Sequence, residues 1–310
     1  MIKLNITYEG VDITQSIEVC KADITDNAGG LADSVELVFS DTEKLWGRWK
    51  PKKGDRVVVG ESGFSSGLMY VDQLEQLRGV YIIKALSIPQ HSKTAKTKSW
   101  ENVRFLEFSG EIARNYGFEL LTYGIQNWSY SRVDQIEQTD FEFLAYRCIL
   151  EGYILKICNA KVIIYNERYQ EAQGSAKDIY PEDIDGDYEF RSVSAGLYSS
   201  CLLRSNSPNG FIQSEYKPDN PPAGPVLKKN IAVDNQAEAD RFTRALLRYE
   251  NKRENSGKIQ IPLDSGLAAG NNIYVHGLAL LEGKCFVEKI VHRLVDKKSS
   301  LKIRKPLEGY

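Results

Sequence analysis

The sequence predicts a mainly β protein with an α+β insertion in its middle. Three observations predict this class. Residues 1–92 carry short alternating segments separated by glycine turns, the central part carries two helical patterns and an apolar hairpin, and β alternation resumes at Tyr188. With 310 residues and 42% hydrophobic content, the chain is long enough to bury the cores of two or three domains.

Residues 1–92 are predicted to form an all-β domain. In the first strand, the apolar residues Ile2, Leu4, Ile6 and Tyr8 alternate with polar ones. Further strands are predicted at residues 35–39, 54–60 and 79–86, with a turn at residues 27–30.

The central segment changes character. Residues 90–99 are polar and basic and predict a connecting loop, whereas residues 105–116 place apolar side chains on one helical face and end at Gly117. Residues 124–138 show no period and predict irregular structure. The domain is expected to span residues 93–180.

A second helix in this segment has clear start and stop signals. Thr139 can act as N-cap with Glu142 completing a capping box, Phe141 and Leu144 lie on the apolar face, and Gly152 follows the last turn. Two apolar β-branched runs, residues 153–158 and 161–165, then flank Asn159-Ala160, which predicts a tight hairpin.

This stretch carries a family resemblance. It resembles the signature of the late control protein D family in the following residues: Gln138, Thr139, Asp140, Phe141, Leu144, Gly152 and Tyr153. Members of that family are baseplate hub proteins of contractile-tailed phages and are related to the N-terminal part of VgrG spike proteins. The resemblance implies two tail-tube-like β-barrel domains that flank a small α+β domain.

The rest of the chain, residues 181–310, is predicted to form the second β domain. Residues 170–187 predict a boundary loop and residues 205–224 a long surface loop. A helix at about residues 235–254 opens at Asn235, with Glu238 at the capping-box position. Strands follow at residues 258–263, 273–276, 284–294 and 301–304.

A short internal sequence match links the two predicted β domains. Residues 54–60 followed by 79–84 resemble residues 270–277 followed by 283–288, since a glycine-polar turn feeds a strand in each. Duplication and convergent hairpin chemistry both explain so short a match. The family resemblance favours duplication.

The sequence offers no site for catalysis, a cofactor or a metal. The GxSxG match around Ser65 lies in a glycine-serine turn rather than a strand-turn-helix, and a plain turn is the preferred interpretation. Asp183, Asp185, Asp187 and Glu189 alternate like calcium ligands but lack the EF-hand glycine and final glutamate, which favours a solvated acidic loop. The three histidines are scattered, and each is expected to be structural or solvent-facing.

Charge and cysteine content set further limits. A net charge of −2 gives no general attraction to nucleic acid or to anionic membranes. Five scattered cysteines fit reduced, mostly buried thiols, and neither a signal peptide nor a membrane-spanning run is expected. Trp46 and Trp49, among basic residues, form a candidate docking loop, although the tryptophans could instead cap the core. Lys93, Lys96 and Lys98 are expected to be solvated.

The resemblance implies a structural hub rather than an enzyme. Such a subunit would assemble in the bacterial cytoplasm as a homotrimer in the baseplate of a phage or tailocin, adapting a six-fold tail tube to a three-fold spike. Its expected partners are the tube protein, a separate spike or tip protein, other baseplate proteins and a tape-measure protein in the channel; specific nucleic-acid binding and membrane insertion are not expected. The alternatives are a cell-wall hydrolase using carboxylates and a carbohydrate-binding tail component.

Overall fold

A computed structural model describes residues 4–61, 63–207 and 210–310, so that Ile2 of the predicted first strand lies outside the described residues. The N-terminal β unit contains the following elements: β1 (Leu4–Tyr8), β2 (Val11–Asp12), β3 (Glu18–Asn27), β4 (Ser34–Ser40), α1 (Leu45–Trp49), β5 (Arg56–Glu61), β6 (Phe64–Ser65), β7 (Met69–Leu77) and β8 (Val80–Leu86). The strands expected from alternation are present, and β2, β3, β6 and β7 are additional ones.

The α+β unit comes next in the chain. Its elements are β9 (Lys96–Arg104), α2 (Phe105–Asn115), β10 (Glu119–Tyr123), β11 (Ser129–Gln138), α3 (Asp140–Glu151), β12 (Tyr153–Cys158), β13 (Lys161–Asn166) and α4 (Glu167–Ala172). Helix α3 and the β12–β13 hairpin match the predicted capped helix and hairpin, and Asn159 and Ala160 both have positive φ (46° and 54°), as a type I′ turn requires.

The last part of the chain mixes strands of two sheets. Its elements are β14 (Ser175–Ile179), β15 (Glu189–Ser192), β16 (Ser200–Ser207), β17 (Gly210–Tyr216), β18 (Val226–Asn230), α5 (Gln236–Asn251), β19 (Asn255–Pro262), β20 (Asn272–Val275), β21 (Gly283–Arg293) and β22 (Lys298–Arg304). Strands β14, β15 and β19 to β22 form the C-terminal β unit. No helix in the described ranges is long and apolar enough to cross a bilayer.

The two β units share one 14-stranded sheet. Its main order is β15-β19-β22-β21-β3-β4-β8-β7-β5-β1-β2; in addition, β20 pairs with β21, β14 pairs with β20, and β6 pairs with β5. The units meet where β21 pairs antiparallel with β3, from Lys289 opposite Asn27 to Arg293 opposite Asp23. The units therefore lie side by side with continuous backbone pairing.

The two units also repeat one topology. The lateral order β3-β4-β8-β7-β5-β1 corresponds to β15-β19-β22-β21-β20-β14, and each set runs through the chain in the same sequence. The register shift in β7, after Val71, recurs in β21 after Val287. One pair differs in direction, because β1 is antiparallel to β5 whereas β14 is parallel to β20.

Backbone hydrogen bonds at the shift match position by position. The Gly54 N–H donates to Val71 O at 2.7 Å, and the Gly270 N–H donates to Val287 O at 2.9 Å. Asp55 and Asn271, the next residues, each accept the N–H of the same valine, at 2.8 and 2.9 Å. The match of residues 54–60 with 270–277 thus reflects equivalent strands.

The second half of the sequence match pairs strands that are not equivalent. Gly283 opens β21, which occupies the place of β7, whereas Gly79 directly precedes β8, the counterpart of β22. The many polar residues of β7 hide its strand character in the sequence, so the match omits this strand.

Each β unit encloses its own apolar core. All the long strands of the N-terminal unit contribute to one cluster, which includes Ile6, Ile24, Leu37, Val59 and Ile83. The C-terminal cluster takes residues from β14 and from β19 to β22, including Ile179, Ile259, Ile273, Val287 and Leu301. The strands of each unit thus bury one face in a core of their own.

A third core joins segments on both sides of residue 180. Phe105, Phe143 and Leu155 pack in the same cluster as Leu203 of β16 and Phe242 of α5. Helix α5 and the sheet of β16, β17 and β18 therefore pack with the α+β unit, and residues 193–254 form an excursion between β15 and β19. Conversely, β14 lies before residue 180 but pairs with β20.

Several predicted loops are strands. Residues 96–99 of the predicted loop belong to β9, which pairs with β11 in the segment expected to be irregular. Strand β14 lies in the predicted boundary loop, and β17 lies in the predicted loop at residues 205–224, whose residues 208 and 209 are outside the described ranges. These strands expose most of their side chains, so apolar alternation is weak and tertiary pairing decides the structure.

Candidate functional site

Ser65 and the acidic residues at 183–189 are not assembled into a catalytic site. Ser65 lies in strand β6, its hydroxyl accepts the Gly67 N–H at 3.1 Å, and β6 forms a hairpin with β5. This strand-turn-strand context is not that of a nucleophile elbow, which requires a following helix.

The acidic stretch is satisfied by protein groups. Asp183 accepts the Tyr180 N–H at 2.9 Å, Asp185 pairs with Lys298 at 3.0 Å, and Glu189 pairs with Arg191 at 3.2 Å. Across the described ranges, no three His, Cys, Asp or Glu side chains are grouped closely enough to hold a metal ion.

The histidines and cysteines are distributed through the fold. His91 stacks on Tyr116, His276 lies 2.9 Å from Asp178, and His292 is buried against Ser299. All five cysteines are free; Cys148, Cys201 and Cys285 are buried, Cys158 is partly buried and Cys20 is exposed. Burial raises the pKa of Cys285 to about 11, which leaves this thiol protonated and unreactive at neutral pH.

The signature residues build a structural junction. Thr139 caps α3 by accepting the Glu142 N–H at 3.3 Å, and the Glu142 carboxylate accepts the Thr139 N–H at 3.0 Å. Phe141 and Leu144 are buried, Gly152 has a φ of 71° at the end of the helix, and the Tyr153 hydroxyl donates to Gln126 O at 3.0 Å. Gln138 ends β11 opposite Lys96.

The buried carboxylate of Asp140, a signature residue, accepts several hydrogen bonds. It accepts from Lys96 at 2.6 Å, from Tyr116 at 2.8 Å and from Gln135 at 2.9 Å. Burial raises the pKa of Asp140, but these three donors outweigh it and hold the pKa below its usual range. Lys96, which was expected to be simply solvated, thus fixes β9 to α3. Lys93 and Lys98 also form ion pairs, with Asp72 and Glu111.

The hairpin after the signature helix joins all three units. Leu155 O accepts the Gly30 N–H at 2.8 Å and Ile157 O accepts the Ser87 hydroxyl at 2.6 Å, so β12 is bound to the N-terminal unit. Lys156 forms an ion pair with Asp26, whose other oxygen accepts the Ala269 N–H at 2.9 Å from the C-terminal unit. The hairpin therefore fixes how the two β units meet.

A buried ion cluster links the α+β unit to the C-terminal β unit. Glu167 at the start of α4 accepts from Lys252 at 2.8 Å and from Arg304 at 2.9 Å, and it pairs with Arg248 at 3.3 Å. Arg304 also contacts Glu171 at 2.6 Å. These residues come from α4, from the C-terminal end of α5 and from β22. Sequence reasoning missed the cluster because its members are far apart in the chain.

Burial and charge act in opposite directions on Glu167. Burial raises the pKa of this carboxyl, but Lys252, Arg304 and Arg248 outweigh it and lower the pKa from 4.5 to about 2. The carboxylate therefore stays ionised at neutral pH, and its attraction to the three cations stabilises the folded state.

The candidate docking loop is only partly exposed. Trp46 is buried, stacks on Tyr81 with ring centroids 5.2 Å apart and packs against Phe39, so it caps the N-terminal core. Trp49 is 42% exposed and meets Trp46 edge-on. Trp49 alone remains accessible as a docking residue.

The shared sheet has a polar face turned away from both cores. In the C-terminal unit this face carries Lys258, Lys289, Arg293 and Lys302, which line an open groove of about 530 Å³. In the N-terminal unit it carries Lys21, Glu36 and Lys84. Strand alternation places all these side chains opposite the buried positions.

Within the described ranges, several strand edges of this sheet have no neighbouring strand, and those of β15 and β7 are among them. Strand β15 pairs with β19 on one side only, and β7 pairs with β5 only through Arg56–Tyr70 and Val57–Met69. Within the described ranges, no strand is paired with the outer side of β15 or with residues 73–77 of β7 on the side away from β8. Open backbone donors and acceptors of this kind favour strand addition.

The fold is shared with known tail proteins. A tail protein from Neisseria meningitidis MC58 is similar with a TM-score of 0.77 and 11% identity over 98% of this chain and 96% of that one. The 43 kDa tail protein of prophage MuSo2 from Shewanella oneidensis matches with a TM-score of 0.74 and 12% identity over 97% of each chain.

A third similar structure comes from a secretion system. It is the E. coli c3393 protein, described as a type VI secretion component similar to the T4 tail proteins gp27 and gp5; its TM-score is 0.58, with 12% identity over 98% of this chain and 78% of that one. No protein-family model and no curated protein matches the sequence. At these identities the likeness establishes the fold alone, which is that of phage tail proteins and of this secretion component, and it confirms the predicted mainly β class.

Proposed function

We propose that this chain, which has the fold of phage tail proteins, is the structural baseplate hub of a contractile or related tail. The observation that carries the proposal is the repeated β topology, with the two units joined edge to edge by β21 and β3. Because each chain carries two equivalent units, a ring of chains can present twice as many similar surfaces as it has chains.

The proposed assembly is a homotrimer. Three chains would place six similar β units, acting as tail-tube-like barrels, around one axis. One side of such a ring would match a six-fold tail tube, while the true three-fold symmetry would match a trimeric spike. The tube protein, a separate spike or tip protein and other baseplate proteins are therefore the proposed partners.

The polar face of the shared sheet is suited to line the channel of this ring. It carries Lys258, Lys289 and Lys302 around the groove described above, together with apolar surface. A tape-measure protein would occupy this channel, and DNA would follow after the tip is released. The site of action would be the baseplate of a virion or tailocin, after assembly in the bacterial cytoplasm.

The joint around Asp26 and Lys156 supports a mechanical role. It fixes the angle between the two β units through the β12–β13 hairpin. A symmetry adaptor requires that angle to be constant in every copy, because a closed ring tolerates little variation. We infer a non-enzymatic role, since Ser65 and the acidic stretch are engaged in turns and ion pairs.

Electron microscopy of the purified protein tests this proposal. We expect rings with a central hole and three chains each by native mass spectrometry. A monodisperse dimer, or a particle without a hole, would contradict it. Cell-wall hydrolysis abolished by Ser65→Ala would instead support the hydrolase alternative.

A further inference from the structure

The pairing of β21 with β3 inside the chain is a template for the contact between chains. Strand β3 presents one edge to β21 of the other unit. Its counterpart β15 presents the equivalent edge to no described strand, and the counterpart of β21, β7, is unpaired over the equivalent stretch. We propose that β15 of one copy adds to residues 73–77 of β7 in a second copy. This inference rests on the proposed ring and supplies its subunit contact.

The repeated topology fixes the register. Thr25 lies opposite Ser34, which lies opposite Leu86, and Leu86 lies opposite Tyr70. The equivalent path in the C-terminal unit runs through Arg191, Ser256, Arg304 and Phe286. Arg191 is therefore the counterpart of Thr25.

The same path identifies the residue opposite Arg191. The strand shifts after Val71 and after Val287 make Gln73 the counterpart of Lys289 and Glu75 that of Val291. Within the chain Thr25 lies opposite Val291. Between copies, Arg191 should consequently lie opposite Glu75, and Glu189 opposite Leu77.

In this register, the residues that direct their backbone N–H and C=O groups outward on one edge lie opposite those that do so on the other edge. The Val193 N–H donates to Glu254 O at 2.9 Å, so alternate residues Phe190 and Ser192 direct their N–H and C=O groups away from β19. In the internal template, the Ala28 N–H donates to Glu288 O at 2.9 Å. The corresponding outward groups of β7 belong to Leu74 and Gln76, which would face Ser192 and Phe190.

Side chains at the two edges are also complementary. Arg191 and Glu75 carry opposite charges at a position where the side chains of an antiparallel pair come closest. Leu77 is 53% exposed and Val193 is 36% exposed, which leaves apolar surface at both edges of the isolated chain. A second copy would cover both, and because the two edges differ, the contact is head-to-tail and can close into a ring.

Disulfide trapping tests the register. Opposed residues in a non-hydrogen-bonded pair have Cα atoms about 4.5 Å apart, which lies within the range for a disulfide. We expect Glu75→Cys with Arg191→Cys, in a Cys20→Ser background, to form covalent multimers under mild oxidation. The matched control, Gln73→Cys with Arg191→Cys, places the thiols two residues out of register and should give at least about tenfold less product.

Charge reversal gives an independent readout. Glu75→Arg and Arg191→Glu should each weaken self-association about three- to tenfold, and the combined variant should restore it. Equal cross-linking of the two cysteine pairs, or no cross-linking of either, would overturn the inference. Three-membered rings that lack the Glu75–Arg191 link would leave the hub proposal intact and refute this register. Cross-linked open filaments would support the register and refute the ring.

Discussion

At the scale of single residues, Glu167 shows how charge is used to lock units together. Its carboxylate is buried among Lys252, Arg304 and Arg248, which come from two other elements. A carboxyl with a pKa lowered from 4.5 to about 2 stabilises the folded state above pH 4.5. That contribution is lost progressively as the pH falls from about 4.5 to about 2.

The variant Glu167→Gln tests this account. At neutral pH we expect it to lower the free energy of unfolding by about 3 kcal/mol, because Lys252, Arg304 and Arg248 each lose one buried ion pair. The difference from wild type should shrink as the pH falls towards 2, since the wild-type carboxyl then becomes neutral too. Chemical denaturation at several pH values measures this.

The matched control is Glu101→Gln, which removes a carboxylate from an exposed pair with Arg132. Its effect should stay within about 0.5 kcal/mol at every pH. A pH-independent loss for Glu167→Gln would show that the carboxylate charge is not what stabilises the joint.

At the scale of elements, the capped helix α3 organises the α+β unit. Phe141 is buried against Phe118 and Tyr116, with ring centroids 6.1 and 4.9 Å apart. We expect Phe141→Ala to cost about 3–5 kcal/mol through lost burial and a cavity, and to lower the melting temperature and soluble yield.

Tyr146 on the same helix is 41% exposed and provides the control. Tyr146→Ala should cost about 1 kcal/mol or less. Similar losses for the two variants would mean that helix content, rather than the buried face, determines stability.

The β12–β13 turn offers a stabilising change. Ala160 has a φ of 54°, a left-handed conformation that costs a residue with a Cβ about 1–2 kcal/mol. Ala160→Gly should therefore raise the free energy of unfolding by about 0.5–1 kcal/mol. As a control, Ala145→Gly in helix α3 should lower it by a similar amount. Destabilisation by Ala160→Gly would indicate that packing of the Ala160 methyl group stabilises the fold by more than the backbone strain at this turn destabilises it.

Local signals explain which elements could be predicted. Helix α3 was predictable because Thr139, Glu142 and Gly152 act within the helix itself, and the strand around Leu37 shows alternation. Strands β7, β9 and β17 could not be recognised, since their exposed faces interrupt the apolar pattern and their pairing partners lie elsewhere. The joint at Asp26 and Lys156 depends on three distant segments, so no local pattern reveals it.

At the scale of the whole molecule, the structure is two copies of one β topology held at a fixed angle. The shared sheet continues from one copy to the other through β21 and β3, and the α+β unit fastens both. The sequence match that reflects equivalent strands in the two copies is short and covers a glycine turn and a strand, residues 54–60 and 270–277. The repeat is consequently much clearer in strand order than in residues.

Cryo-electron microscopy of intact particles shows directly whether the chain is a trimeric hub. We expect three copies of this chain around the particle axis, between the tail tube and the spike, with their β units forming a ring of six around a channel. Six copies in one ring, or a location in the sheath or the fibres, would contradict it.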